Sequence, residues 1–316
     1  MTIKILLDCS AITINLFESF ENSNIIDLVN SKKISFFLSD VVFYEKFIPL
    51  LTKNENAKNE QEFDRLLDYC IKYCSEKIFL PVKDIIKYEV NYNDGNKEYY
   101  FYPHLKLPNL RNKYKNFIQK RDKNYYKNLR ETNKKIFELM NSAYIDENKA
   151  IIDKIKSKKD VELYLSYLIE KYNNFKLDES FFRKLINKNV PPKDNAKNLH
   201  SFVSAFLLSQ NLISISSANY IKISKLFNND NYLWTYFRVY FFTLTARVME
   251  NDIHKDKKYI DNEYITLMKD LDILIAKDKS YMRDCFYSIY ANTNKEIIAP
   301  DDNLIERIKL RIKNNI

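Results

Sequence analysis

Four acidic residues stand where short apolar segments end or where helical patterns follow them. Asp8 ends the apolar run IKILL, and Asp278 follows the run DILIA by two residues. Glu45 lies one turn into the helical pattern after a second apolar run, and Asp261 opens the helical pattern that precedes DILIA. Functional groups gather at the carboxyl ends of strands in an open parallel sheet, so we expect all four side chains to face one rim.

Carboxylates that converge repel one another unless a cation neutralises them, and hard oxygen ligands suit Mg²⁺ or Mn²⁺. The prediction is therefore a metal site made of Asp8, Glu45, Asp261 and Asp278. Any one of these acids taken singly fits a turn or a helix cap, and Asp261 before NEY is a good N-cap candidate. Asp252 is an alternative to Asp261 as the third acid of the site. Asp272 also lies nearby in sequence, but it starts its strand and should point away from the rim.

The composition of the chain excludes several classes of phosphate-binding and catalytic site. The chain of 316 residues is 46% hydrophobic and 29% charged, as in ordinary globular proteins, and its net charge of +9 favours a polyanionic partner. It contains one glycine, Gly95, which excludes a Walker loop, a G-x-G-x-x-G dinucleotide site and a G-x-S-x-G nucleophile elbow. Any phosphate chemistry must depend on side chains and metal.

The acids must be positioned by an α/β unit. Short apolar segments alternate with amphipathic ones in residues 1–86, and this pattern resumes in residues 236–316. We therefore predict a discontinuous α/β domain with a short, mainly parallel sheet flanked by helices. Residues 87–235 are expected to be a large, mostly helical insertion, with a β-hairpin near residues 88–102 around Asp94-Gly95. The alternative is two independent domains.

The spacing of the cysteines and the hydropathy of the chain indicate the cellular compartment. Cys9, Cys70, Cys74 and Cys285 have neither zinc-ribbon nor disulfide-framework spacing, which favours free thiols in a reducing cytoplasm. The first residues are too short an apolar run for a signal peptide, and the longest apolar stretches are interrupted by Ser, Gln or Arg. We expect a cytoplasmic protein without a membrane partner.

Three segments resemble the motifs of PIN domains. IKILLDCSAI is similar to the family's opening strand, with Asp8 followed two residues later by Ser10. FFLSDVVFYEKF resembles the second motif, which carries Glu45, and DNEYITLMKDLDILIAKDKSY resembles the third and fourth motifs together. The likeness covers about residues 1–50 and 250–300. One position departs from the family pattern, since Ala276 stands where a Thr or Ser often precedes the fourth acid.

This resemblance implies a PIN-like domain and a metal-dependent endoribonuclease. The four carboxylates would bind one or two divalent ions, partly through water, and these ions would activate water for phosphodiester hydrolysis. RNA is favoured over DNA by the resemblance and by no particular residue. Ala276 removes one hydroxyl from the expected site.

A basic segment at residues 111–135 interleaves Lys and Arg with Tyr and Phe. Basic groups contact phosphates and aromatic rings stack on unpaired bases, whereas a solvated helix with its rings in the core is the competing interpretation. The residues expected to bind nucleic acid are Lys113, Lys115, Lys120, Arg121, Lys123, Tyr125, Tyr126, Lys127 and Arg130.

Two other functions remain open. One is a PIN-like scaffold that binds nucleic acid or a partner protein without cutting. The other is a metal-independent HEPN-type ribonuclease, because Arg247 and His254 loosely fit its Arg-x(4–6)-His pattern, although Val248 stands where a polar residue is usual. The sequence also leaves open a homo-oligomer or a regulatory protein partner.

Overall fold

The structure, a computed structural model, describes residues 2–52, 57–92, 96–112, 127–128, 130–135, 230–249, 258–277, 281–291, 293–301 and 303–314. Within these ranges the chain forms an α/β fold around one sheet of six strands. The strands are β1 (Ile3–Leu7), β2 (Ile34–Ser39), β3 (Cys74–Phe79), β4 (Phe101–Lys106), β5 (Ile273–Ile275) and β6 (Glu296–Ile298).

The strand order is β4-β3-β2-β1-β5-β6, and all neighbours are parallel except the antiparallel pair β3–β4. Strands from both ends of the chain thus form one sheet, as the resumed α/β pattern predicts. The chain leaves β1 toward β2 on one side and returns to β5 on the other side. The carboxyl ends of β1 and β5 are therefore the topological switch point, where open α/β sheets bind ligands.

The helices follow the amphipathic segments of the sequence. They are α1 (Ile14–Glu21), α2 (Ile25–Asn30), α3 (Ile48–Thr52), α4 (Ala57–Tyr73), α5 (Val82–Tyr92), α6 (Tyr232–Met249), α7 (Lys258–Leu267), α8 (Tyr281–Tyr290) and α9 (Leu304–Asn314), with a π-helix at Phe43–Phe47 and 3₁₀ turns at Lys97–Tyr100 and Met268–Asp270. Residues 107–112 and 130–135 are also helical.

The helices fall into two groups, one with α1 and α4 and the other with α5, α6 and α7. On one face of the sheet Phe20 of α1 stacks on Phe36 of β2, and Phe17 stacks on Tyr69 of α4. Helices α5, α6 and α7 contact one another. Residues 232–240 of α6 are all buried. Among the described helices, none is both long and apolar enough to cross a membrane.

The expected β-hairpin near residues 88–102 is wrong in its first arm. Residues up to Tyr92 belong to helix α5, because Ile85, Ile86, Glu89 and Val90 repeat at helical spacing and are buried together. The second arm is strand β4, but it pairs with β3. Asp94-Gly95 lies outside the described residues, as does most of the predicted helical insertion, so that part of the domain division stays a prediction.

Candidate metal centre

The end of β1 brings Asp8 to the switch point. The Asp8 amide donates to the carbonyl of Ile275 over 3.0 Å, which ties the ends of β1 and β5 together. Ser10 donates its amide over 3.0 Å, and also its hydroxyl, to Asp8 Oδ2. The Ser10 hydroxyl in turn accepts the amide of Lys277 over 2.9 Å. Ser10 therefore fixes the Asp8 carboxylate and joins it to the chain that follows β5.

Asp8 is almost completely buried, with 4% of its surface exposed. Burial raises the pKa of its carboxyl, and the bonds from Ser10 offset only part of that effect. A buried carboxylate in this position is costly unless a positive charge reaches it.

Glu45 reaches the same place from a different element. It lies in the middle of the π-helix Phe43–Phe47, a rare conformation that is frequent at functional sites. Phe43 and Phe47 anchor the π-helix in the core, and both are buried. The half-buried Glu45 side chain accepts the hydroxyl of Tyr264 over 3.0 Å.

Helix α7 supplies both Tyr264 and Asp261. These residues are three positions apart, so they lie on one face of the helix. Tyr264 is fully buried, and this burial, followed by the charges of Glu45 and Asp8, raises its pKa. Its hydroxyl is therefore a neutral donor that fixes the orientation of Glu45.

Cys9 lies among the acids. Asp8, Cys9 and Glu45 each offer a ligand atom, and these atoms lie within 4.8 Å of one another. Burial raises the pKa of the Cys9 thiol, and the charges of Asp8, Glu45 and Asp261 raise it further. Three carboxylates from three elements thus act on one thiol. Such an oxygen-rich cluster can hold a divalent cation, and the thiol adds a softer ligand.

A second acidic pair lies beside this cluster. Asp40, just after β2, accepts the hydroxyl of Tyr102 on Oδ2 over 3.1 Å, while its buried Oδ1 has no partner among the described residues. Burial, followed by the charge of Glu263, raises the pKa of Asp40 to about 8. Glu263 accepts the amide of Val82 over 2.8 Å at the start of α5, and burial raises its pKa to about 7. Burial also lowers the pKa of the adjacent Lys83 to about 8.

The structure thus brings Asp8 and Glu45 together beside Cys9, whereas Asp261 is near enough for its charge to raise the pKa of Cys9 but is not among the residues whose ligand atoms lie within 4.8 Å of one another. Asp261 lies in the first turn of α7, which begins at Lys258, so its expected role as an N-cap is wrong. Asp272 accepts the amide of Lys4 at the opposite edge, as its strand position predicts. Asp278 and Asp252 lie outside the described residues, and so does His254 of the alternative ribonuclease pair.

Several residues of this region were missed from the sequence. Tyr264 had a usable signal, because it follows Asp261 by one helical turn. Asp40 had another, because it ends β2 just as Asp8 ends β1. Cys9 was interpreted only as one of four free thiols. The structure confirms free thiols at all four cysteines, but Cys9 is partly exposed and the other three are buried.

The basic segment is described only in part. Lys127 and Arg130 are exposed, whereas Lys113, Lys115, Lys120, Arg121, Lys123, Tyr125 and Tyr126 lie outside the described residues. In the helical residues 130–135, Asn133 is buried and donates its amide to the carbonyl of Tyr44 over 3.3 Å. This contact places the end of the basic segment against the π-helix that carries Glu45.

Comparisons of the chain with protein-family models, with curated proteins and with solved structures found no match.

Proposed function

We propose that this protein is a metal-dependent nuclease of PIN-like type, acting on RNA. The observation that carries the proposal is the convergence of Asp8 and Glu45 beside Cys9 at the switch point of the sheet, with Asp261 near enough for its charge to act on the same thiol. Each acid comes from a different element, and each was singled out by the motifs that resemble PIN domains. A structural role alone gives no reason to gather three carboxylates at this rim, because their mutual repulsion destabilises the fold.

The protein groups have separate roles in this proposal. Asp8, Glu45 and Asp261 would hold Mg²⁺ or Mn²⁺, with Asp278 as the fourth acid. When bound, the cation supplies an activated water and neutralises charge on the leaving oxygen. Ser10 and Tyr264 orient Asp8 and Glu45 by hydrogen bonds, so the ligands are fixed before a cation arrives.

Charge supports a nucleic acid as the substrate, and the choice of RNA follows from the resemblance to PIN domains. The chain carries a net charge of +9, so the protein that contains the acidic rim is positively charged as a whole. The exposed Lys127 and Arg130 lie near Asn133, which contacts the π-helix of Glu45. Phosphates bound by these side chains would bring the adjoining backbone toward the acids.

The test is an assay in which the purified native chain and the Asp8→Asn variant are each incubated with mixed RNAs and Mn²⁺, and cleavage is measured. We expect cleavage by the native chain, none by the variant, and none after addition of EDTA. Mn²⁺ should also raise the melting temperature of the native chain and leave that of Asp8→Asn unchanged, because a ligand that binds only the folded state stabilises it.

Control variants separate loss of the site from loss of the fold. Asp64→Asn replaces an acid of α4 and should leave cleavage unchanged. The proposal fails if native chain and Asp8→Asn cut equally, or if neither cuts RNA or DNA with any divalent ion. RNA binding without cutting would indicate instead a non-catalytic scaffold. Cleavage that resists EDTA and is lost in His254→Ala would indicate the HEPN-type alternative.

A further inference from the structure

A cleft of about 360 Å³ lies over one face of the sheet, between Lys4 near the start of β1 and Phe79 at the end of β3. The sequence motifs do not account for it. Its walls include the phenylalanines Phe37, Phe79 and Phe101 and the lysines Lys4, Lys77 and Lys97. A volume of this size lies within the range of small-molecule sites.

The floor of the cleft is aromatic. The ring centroids of Phe37 and Phe101 lie 6.2 Å apart with nearly parallel planes, and both rings contact Phe79. Phe79 is buried, whereas Phe37 and Phe101 are only partly covered. The Lys97–Tyr100 turn borders the cleft. Partly covered aromatic rings in a cleft are available for stacking.

The rim of the cleft is positive. Lys4 shares the sheet face of Phe37, since Leu6 pairs with Phe37 and side chains alternate along a strand. Its side chain is exposed and has no acidic partner among the described residues. The Lys77 ammonium lies 5.6 Å from the centre of the Phe101 ring. Ammonium groups above an aromatic floor suit a ligand that is itself flat, aromatic and anionic.

The existing ion pairs do not block such a ligand. Lys77 pairs with Glu98 over 2.6 Å, but these side chains are 46% and 70% exposed. Lys97 pairs with Asp270 over 2.9 Å and remains 60% exposed. A pair with both side chains exposed contributes little, so Lys77 can exchange the Glu98 carboxylate for a phosphate at small cost.

We propose that this cleft binds one nucleotide, with its base on Phe37 and Phe101 and its phosphate between Lys4 and Lys77. Base stacking on aromatic rings and ammonium contacts to phosphate are the usual means of binding single-stranded nucleic acid. The nucleotide is either free or one unit of a strand. Lys4 lies four residues before Asp8 on β1, about 13 Å away. The cleft is lined by neither Asp8, Glu45 nor Asp261, so the site is distinct from the candidate metal centre and goes beyond the proposed function.

The experiment measures binding where no cleavage occurs. The 316-residue chain carrying Asp8→Asn is titrated calorimetrically in EDTA with adenosine monophosphate, with pyrophosphate and with a five-nucleotide single strand. We expect Lys4→Glu and Lys77→Glu to weaken nucleotide binding by about tenfold or more. Phe101→Leu should weaken it by about tenfold while leaving pyrophosphate binding unchanged. The charge-matched control Lys309→Glu, on α9, should bind like the parent.

Crosslinking places the ligand. Photoactivated 8-azidoadenosine monophosphate should label peptides that contain Phe37 or Phe101, and Lys4→Glu should suppress the labelling.

Tighter binding of the five-nucleotide strand than of the monophosphate, with the same variant effects, assigns the site to a strand. Binding of the strand that is no tighter than binding of the monophosphate assigns the site to free nucleotide. The proposal is overturned if the Lys4, Lys77 and Lys309 variants all bind alike, or if pyrophosphate binds as tightly as the monophosphate. Because no divalent ion is present, these outcomes do not depend on nuclease activity.

Discussion

Tyr264 donates its hydroxyl to Glu45 across 3.0 Å, although the residues are 219 positions apart in the chain. The bond joins the π-helix after β2 to helix α7, which also carries Asp261. Since Tyr264 is fully buried, its ring cannot move aside without opening the core. Tyr264 of α7 therefore fixes the position of Glu45 in the candidate metal centre, and this bond gives the first prediction.

Tyr264→Phe should keep the fold and weaken the site. Without the hydroxyl, Glu45 loses the bond that orients it, and loss of such a supporting partner weakens metal binding or activity by about tenfold or more. The measurements are Mn²⁺ affinity by calorimetry and the rate of RNA cleavage. Tyr290→Phe is the matched control, because its buried hydroxyl donates to the carbonyl of Ile265 over 2.8 Å instead. Equal effects of the two variants would mean that Tyr264 is merely structural.

Cys9→Ser should separate soft metal ions from hard ones. Burial and the neighbouring carboxylates raise the pKa of the Cys9 thiol, so an ion with little affinity for sulfur should leave it protonated. Cd²⁺, which favours thiolate, should bind the native chain far more tightly than Cys9→Ser, whereas Mn²⁺ should bind both alike. Calorimetry with each ion checks this, and Cys70→Ser, buried in α4, is the control. Equal Cd²⁺ affinity in native chain and Cys9→Ser would remove Cys9 from the site.

Asp40→Asn should flatten the pH dependence of stability. The pKa of Asp40 is about 8 in the folded chain, against an ordinary value of 3.8. Between these values the folded state binds more protons than the unfolded state, so stability falls as pH rises through this window. Asn cannot ionise and lacks this loss. Urea denaturation at pH 5, 7 and 9 should therefore show the variant gaining on the native chain as pH rises. A constant difference across that range would contradict the assignment to Asp40.

The sequence predicted the sheet well because its signals are local. Strands β1, β2 and β5 are short, largely apolar runs, and the chain order of strands and helices was enough to expect Asp8 and Glu45 close together. The strand-end rule also placed Asp272 at the opposite edge, where its carboxylate accepts the amide of Lys4. These predictions needed only alternation and topology.

The errors and omissions came from long-range packing. The turn signal Asp94-Gly95 suggested a hairpin, but the burial of Ile85, Ile86 and Val90 against the core keeps residues up to Tyr92 in α5. The π-helix around Glu45 leaves no pattern in FYEKF that differs from an ordinary helix. The cleft of Phe37 and Lys4 exists only once β1 and β2 pair in register, so no single segment predicts it.

Glu89→Ala should destabilise the fold strongly. Glu89 accepts the amides of Tyr232 and Leu233, over 2.9 and 3.1 Å, and the hydroxyl of Tyr100 over 3.1 Å. It thereby caps α6 from within α5, and its removal leaves buried donors without acceptors. The expected loss is on the order of 3 kcal/mol of unfolding free energy. Glu89→Gln should lose less because one acceptor remains, and the exposed Glu306→Ala should lose almost nothing. Urea denaturation of the three variants gives the ranking, and equal losses for Ala and Gln would contradict it.

The double variant Lys127→Ala, Arg130→Ala should weaken RNA binding and leave the chemical step intact. Both residues are exposed, and Asn133 holds their segment against the π-helix through the carbonyl of Tyr44. Removal of two phosphate contacts should lower the slope of log affinity against log salt by about 2. We therefore expect KM to rise and kcat to stay unchanged, in a salt series of cleavage and binding assays. Arg307→Ala with Lys309→Ala, on the far helix α9, carries the same charge loss. If this control shifts the salt slope equally, the effect belongs to net charge and not to the segment beside Glu45.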